Sequence, residues 1–273
     1  MNKCRPKALL IVEGDRLEPA FFRRWEAVEQ RLSLEIYAFK TNISILYDRM
    51  KQENFDCNIK DLLLSSPDLE DEEKEILRQD YAETYLVFDC DLQHTHTRRR
   101  DHELTPTDAH EVLGKVLSMV RHLNNETDPT RGKLYVNYPM MESYRDANTF
   151  QADACPTGLI PLSEVPRYKQ RVGTRRLCSI HLDSYSAHDF EALARMNVER
   201  LARLKEASQL LSSYKAFRNC SSQCGIARLQ HAKLGEGLAL VLNTSLFFSI
   251  DYLGKAAFEQ IMGMGPAVSQ SPV

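Results

Sequence analysis

The sequence predicts an α/β fold, with a mostly parallel sheet flanked by helices and then a mainly helical C-terminal region. Three observations carry that expectation. The runs ALLIV (8–12) and YLVF (85–88) are unbroken apolar stretches, the pattern of strands buried on both faces of a parallel sheet. Strand-like and helix-like segments alternate through the first half, as βα units require. Beyond about residue 150 that alternation gives way to helical periodicity.

The elements follow in order. The first strand, 8–12, is closed by Gly14. Residues 18–30 place Phe21, Phe22, Trp25 and Val28 at helical spacing, with Pro19 suited to a first turn. Residues 34–39 read as a second strand and 43–50 as a short helix. The acidic stretch 66–80 opens with Ser-Pro-Asp and early acids, both helix-start signals. It is expected to be a solvated helix and not a metal site. The strand 85–88 comes next. Residues 107–124 form an amphipathic helix with Val112, Val116, Met119, Val120 and Leu123 on its apolar side, and 134–137 a further strand. A proline-containing segment at 155–176 leads to one helix marked by Leu193, Met196, Leu201 and Leu204, and to a long apolar one over 238–258. The expected division is a unit over 1–150 and a helical region over 151–273 that supplies substrate or partner contacts.

Composition bounds the function. At 273 residues, 43% hydrophobic and 27% charged, the chain has the make-up of an ordinary soluble globular protein. Its net charge of −3 provides no overall field for nucleic acid, so such contacts must come from local basic patches. The seven cysteines show no paired framework, and no signal peptide is evident, so reduced thiols in the cytoplasm are expected. The apolar stretch 238–250 is interrupted by Asn243, Thr244 and Ser245 and falls short of a membrane span. The final GMGPAVSQSPV reads as a frayed end. Without a Walker-type phosphate loop, the chain alone is not expected to hydrolyse ATP.

The chemistry concentrates at strand ends. In open parallel sheets, ligands bind outside the carboxyl ends of the strands, where the strand order switches. Glu13 directly follows the first strand, and Asp89 and Asp91 end the third. If those strands are neighbours, three carboxylates meet at one edge, with Asp89 and Asp91 pointing the same way along an extended chain. Clustered carboxylates repel unless something neutralises them. A hard divalent cation does so with oxygen ligands and retained waters, and there it can activate water and polarise a phosphodiester. The run His94, His96, Arg98, Arg99 and Arg100 would then hold a phosphate backbone beside it. The plainer alternative is that the two aspartates cap a turn.

The stretches LLIVEGDRLEPAFF and YLVFDCD resemble a TOPRIM domain, the Rossmann-like metal-binding fold shared by topoisomerases, bacterial primases and the overcoming-lysogenization-defect nucleases. The pattern is a hydrophobic strand ending in Glu-Gly, then a later strand ending in Asp-x-Asp, here about 75 residues apart. VEGDRLEPAFF is similar to the start of RloB-like proteins, small TOPRIM proteins of restriction and phage-defence loci. The resemblance covers roughly residues 7 to 145. It implies Glu13 as general base or metal ligand, Gly14 as the residue allowing a tight turn, and Asp89 and Asp91 as holders of Mg2+ or Mn2+. It also points to Glu142 in KLYVNYPMMESYRD as a further ligand. RloB-like proteins carry a similar Asn-Pro…Glu element, although here Tyr138 separates Asn137 from Pro139. A surface helix start after Pro139 is the alternative.

The expected function is therefore a metal-dependent endonuclease acting on DNA or RNA, with catalytic residues Glu13, Asp89 and Asp91. The resemblance adds a role as the toxic effector of an anti-phage system. The alternative is a non-catalytic TOPRIM-fold subunit of a nucleic-acid-binding complex. Nucleic acid is the expected partner, and the resemblance leaves room for an ATPase partner protein and for a homo-oligomer; no membrane is expected. A second basic cluster, Arg167, Lys169, Arg171, Arg175 and Arg176, surrounds Gly173. It is either a loop that touches nucleic acid, chiefly through Arg175 and Arg176, or a solvated surface. Cys220, Cys224 and His231 lack the second pair that a zinc site needs.

Overall fold

A computed structural model describes residues 7–93, 104–124 and 131–264. Its centre is a four-stranded sheet. The strands are β1 (Ala8–Val12), β2 (Leu34–Ala38), β3 (Thr84–Asp89) and β4 (Lys133–Asn137). They lie in the order β2-β1-β3-β4, and every pairing is parallel. All of β1 is buried, which is why its sequence is an unbroken apolar run and not an alternating one. The architecture is thus α/β, compatible with the Rossmann-like class.

The crossovers are helical. Helix α1 (Leu17–Val28) joins β1 to β2 and buries Phe21, Phe22 and Trp25. Between β2 and β3 lie α2 (Ile43–Gln52), α3 (Ile59–Leu64) and α4 (Asp71–Arg78). Helix α5 (Pro106–His122) joins β3 to β4. The chain moves from β1 outward to β2, then returns to the other side of β1 for β3. The switch in strand order therefore falls between β1 and β3, and the crevice at their carboxyl ends is where this topology seats ligands.

The C-terminal part is mainly helical and packs on the same core. It contains the hairpin β5 (Ala147–Thr149) and β6 (Ala152–Asp153), the strand β7 (Leu159–Pro161), and helices α6 (Tyr168–Gly173), α7 (Ala187–Leu204), α8 (Tyr214–Cys220) and α9 (Gln223–Gly235). An aromatic seam joins it to α1: Phe190 of α7 stacks on Trp25 at 5.0 Å and meets Phe21 edge-on at 5.1 Å.

Two expectations need correction. The acidic helix does not begin at its Ser-Pro-Asp. It starts behind Glu70, where a capping box with Glu73 satisfies the first amides, so Ser66–Asp68 stay outside it. Residues 238–258 are not one helix. They form β8 (Leu238–Leu240), a 3-10 turn (Thr244–Phe247), α10 (Phe248–Leu253) and α11 (Lys255–Ile261). The reason is hydrogen bonding to the sheet. Strand β8 pairs antiparallel with β7. Asn243 Nδ2 donates to the Met141 carbonyl, Thr244 Oγ1 to the Val136 carbonyl at the end of β4, and Asn137 Oδ1 accepts from the Ser245 amide. Gly254, at φ 79°, separates the last two helices in a conformation that glycine adopts without strain. Most of the expected frayed tail, from residue 265 onward, lies outside the described residues.

Candidate functional site

The parallel pairing of β1 with β3 brings the two acidic motifs together. Past Val12, the Glu13 amide still bonds the Val87 carbonyl at 3.1 Å, so Glu13 leaves β1 in strand register. Its side chain crosses to β3, where Oε2 accepts from the Asp89 amide at 2.9 Å. Asp89 in turn lies 3.4 Å from Asn137 Nδ2 at the end of β4. Asp91 departs from the expected extended geometry. It turns at φ 43°, a left-handed conformation that aspartate tolerates better than most residues, and its amide bonds the Pro139 carbonyl. It nonetheless lines the same cavity as Asp89.

That cavity, of about 420 Å3, is lined by Glu13, Gly14, Glu18, Asp89, Asp91, Gln93, Glu142 and Lys169 among others. Glu142 sits in the 3-10 turn Met141–Arg145 that follows β4, and is buried. Its Oε1 accepts from Lys169 Nζ at 2.6 Å, while the lysine itself remains exposed. Glu13, Asp89, Asp91 and Glu142 are the four acids expected from the sequence, and the fold brings all of them to one edge.

The electrostatics follow from crowding acids in a partly dry crevice. Burial, reinforced by the charges of Asp91, Glu18 and Glu142, pushes the Glu13 carboxyl up to about 8 against the pull of the Asp89 amide. Burial drives Asp89 well above its ordinary range, with Glu13, Glu18 and Glu142 adding to it. Glu18 is raised by burial and by Glu142, while its own amide, the Gly14 amide and Lys169 pull the other way. The crevice is short of positive charge, and a cation entering it would relieve the repulsion.

The donor chemistry, all carboxylate oxygen, fits a hard divalent ion such as Mg2+ or Mn2+. Glu13, Asp89, Asp91 and Glu142 are the residues that would hold it. As they stand, among the described residues no group of three or more His, Cys, Asp or Glu side chains is drawn together closely enough to hold a metal ion. Glu13 is turned onto a backbone amide and Glu142 onto Lys169, so a complete carboxylate shell would need those side chains to swing.

Gly14 lies in the short connection between β1 and α1. A Cβ there would stand 2.6 Å from Glu18 Oε2, so the missing side chain makes room for the Glu18 carboxylate. Glu18, Lys169 and Asn137 were not picked out from the sequence as site residues. Glu18 lies in the first turn of α1, where an acid reads simply as a helix-start residue. Lys169 reads as one member of a basic cluster, and Asn137 as a strand end.

The basic candidates separate. Arg175 Nε bonds Asp146 Oδ1 at 3.0 Å, so Arg175 serves an internal ion pair with a fully buried carboxylate. Arg176 is exposed. His94, His96, Arg98, Arg99 and Arg100 lie outside the described residues, beginning directly after Gln93, which lines the acidic cavity. Cys220 and Cys224 are free thiols, and His231 stacks on His110 at 4.6 Å. Compared with protein families, curated proteins and solved structures, the chain finds no match.

Proposed function

We propose that the protein is a TOPRIM-type endonuclease, dependent on Mg2+ or Mn2+, that cleaves phosphodiester bonds of DNA or RNA. The observation that carries this reading is the convergence of Glu13, Asp89, Asp91 and Glu142 on one cavity at the β1/β3 switch point, where burial and mutual repulsion hold the Glu13 and Asp89 carboxyls above their ordinary range. A bound divalent ion would supply a more acidic water and a counter-charge for the phosphate. Glu13, whose carboxyl is pushed up to about 8 by burial and neighbouring acids before a cation enters, would be the group to take up or return a proton at the attacking water. Asp89 and Asp91 supply oxygen ligands from β3 and the turn after it. Lys169 stands at the cavity mouth, where its ammonium can meet a phosphate oxygen. The basic run after Gln93 is assigned to the nucleic-acid backbone. The role as a phage-defence effector, with an ATPase partner, rests on the resemblance of VEGDRLEPAFF to RloB-like proteins.

The test is incubation of the purified chain with duplex DNA, single-stranded DNA and transfer RNA, each with magnesium, manganese or chelator. Metal-dependent cleavage of at least one substrate is expected, and the Asp89→Ala, Asp91→Ala double variant should lack it. Cleavage retained in the double variant would refute the assignment. Metal-independent binding without cleavage by the wild type would return the chain to the non-catalytic alternative.

A further inference from the structure

The acidic crevice carries a positive charge of its own. Six acidic side chains line it against two cationic ones, Arg16 and Lys169. Lys169 Nζ bonds Glu142 Oε1 at 2.6 Å, although the lysine side chain is 76% exposed and that of the glutamate only 8%. The ammonium thus reaches inward from solvent to a buried carboxylate, beside Asp89 and Asp91 in the same cavity.

The backbone that carries this lysine is held. Lys169 is the second residue of α6. On one side of it Tyr168 is buried and its Oη donates to Asp146. On the other side Arg171 and Arg175 pair with the same carboxylate. The exposed four-carbon stem of Lys169 keeps its freedom to rotate. The ammonium can therefore leave Glu142 without α6 moving, and it then remains at the mouth of the crevice.

Glu142 Oε1 cannot serve the ammonium and a divalent ion together. The two cations would compete for the same lone pairs and repel each other at contact distance. A buried carboxylate stripped of its partner is costly unless another cation replaces it, so the exchange is coupled to metal entry. A site that is competent only while Glu142 is free has its apparent affinity lowered by the fraction of time that it is free. With Glu142 paired about nine-tenths of the time, the loss is about tenfold.

We propose that Lys169 is a built-in counter-cation of the crevice, which occupies Glu142 in the metal-free protein and must be displaced before a divalent ion can draw on all four carboxylates. It sets the metal concentration at which the site fills. The inference rests on the reading of the crevice as a divalent-ion site, and not on nuclease activity. It makes an uncommon prediction: removing the lysine tightens the metal, whereas losing a ligand or a structural side chain weakens it.

The test is calorimetric titration of the full chain with manganese alone, in the absence of nucleic acid, for the wild type, Lys169→Met, Glu142→Gln and the double variant. Lys169→Met should bind manganese about tenfold more tightly than the wild type. Glu142→Gln should bind it more weakly, and in that background Lys169→Met should change the affinity much less, because the two side chains act through one contact. Equal or weaker binding by Lys169→Met overturns the inference and leaves the metal site standing. So does a gain that persists undiminished in the Glu142→Gln background, which would assign the effect to the general field of the cavity. Absence of manganese binding in both the wild type and Lys169→Met would remove the metal site itself, and the inference with it.

Discussion

At the residue scale the informative group is Glu13. Its carboxyl titrates at about 8 in the fold against an ordinary 4.5, so between those values the folded state holds a proton that the unfolded chain has released. Stability must then fall as pH rises through that window. The metal-free protein should melt at progressively lower temperature as pH rises from about 5 to about 8. Glu13→Gln, which keeps an oxygen for the Asp89 amide but cannot ionise, should flatten that slope; an unchanged slope would locate the effect elsewhere. Because a metal displaces protons from such ligands, magnesium should raise the wild-type melting temperature more near pH 8 than near pH 6. Glu13→Gln should lose most of that difference. A second residue-scale test is Gly14→Ala. The new Cβ would press on Glu18 Oε2 and displace that carboxylate, so the variant should respond less to magnesium at nearly unchanged chemical stability. Glu13, Asp89 and Asp91 were legible because acids ending apolar runs are visible in one dimension. Glu18 was not, because an acid in the first turn of a helix reads as a helix-start residue, and Lys169 was not, because it joins the cavity through Glu142, distant in sequence.

At the element scale, α6 shows what tertiary contact adds. Six residues cannot hold a helix by themselves. This one is anchored by ion pairs from Arg171 and Arg175 to the fully buried Asp146, to which Tyr168 Oη also donates. Breaking such a pair leaves uncompensated charge, so Asp146→Ala should cost about 3–5 kcal/mol in urea denaturation. Disrupting the exposed Lys7–Glu35 pair should cost about 1 kcal/mol or less. Equal losses would mean that the buried network does not hold α6. For the second basic cluster the sequence left open a nucleic-acid surface or a solvated one; the inward pairing of Arg171 and Arg175 was not legible, because charge along the chain does not disclose a buried aspartate across the fold. The segment 238–258 misled for a related reason. Its apolar residues suit a buried helix as well as a buried strand and turn, and only the Thr244 and Ser245 bonds to the end of β4 and the Asn243 bond to Met141 just beyond it decide between them.

At the scale of the whole molecule, the helical C-terminal part and the sheet share one continuous core. The seam of Phe21, Trp25, Tyr185 and Phe190 and the Asp251 contacts to Lys133 and Tyr135 cross between them. Phe190→Ala should therefore cost about 3–5 kcal/mol and lower one cooperative transition for the entire chain. Two separate transitions, only one of them shifted, would show that the halves unfold independently. Long-range electrostatics belong to this scale too. With a net charge of −3, the nucleic-acid binding proposed above would have to depend on local arginines. Replacing Arg98, Arg99 and Arg100 by alanine should reduce the salt dependence of binding, by roughly one unit of log-log slope for each phosphate no longer neutralised. Parallel slopes would remove that run from the interface.

By itself the sequence determined the class of fold and the chemical character of one edge of it. Unbroken apolar runs can be satisfied only by strands covered on both faces, and carboxylates placed directly after them must gather wherever those strands are neighbours. The strand order, the burial that lifts Glu13 and Asp89, and the pairing of Lys169 with Glu142 were decided only in three dimensions. Each depends on which surfaces meet, and a hydrogen bond or a desolvation cost is set by the groups across the contact, which composition and periodicity along one chain do not specify.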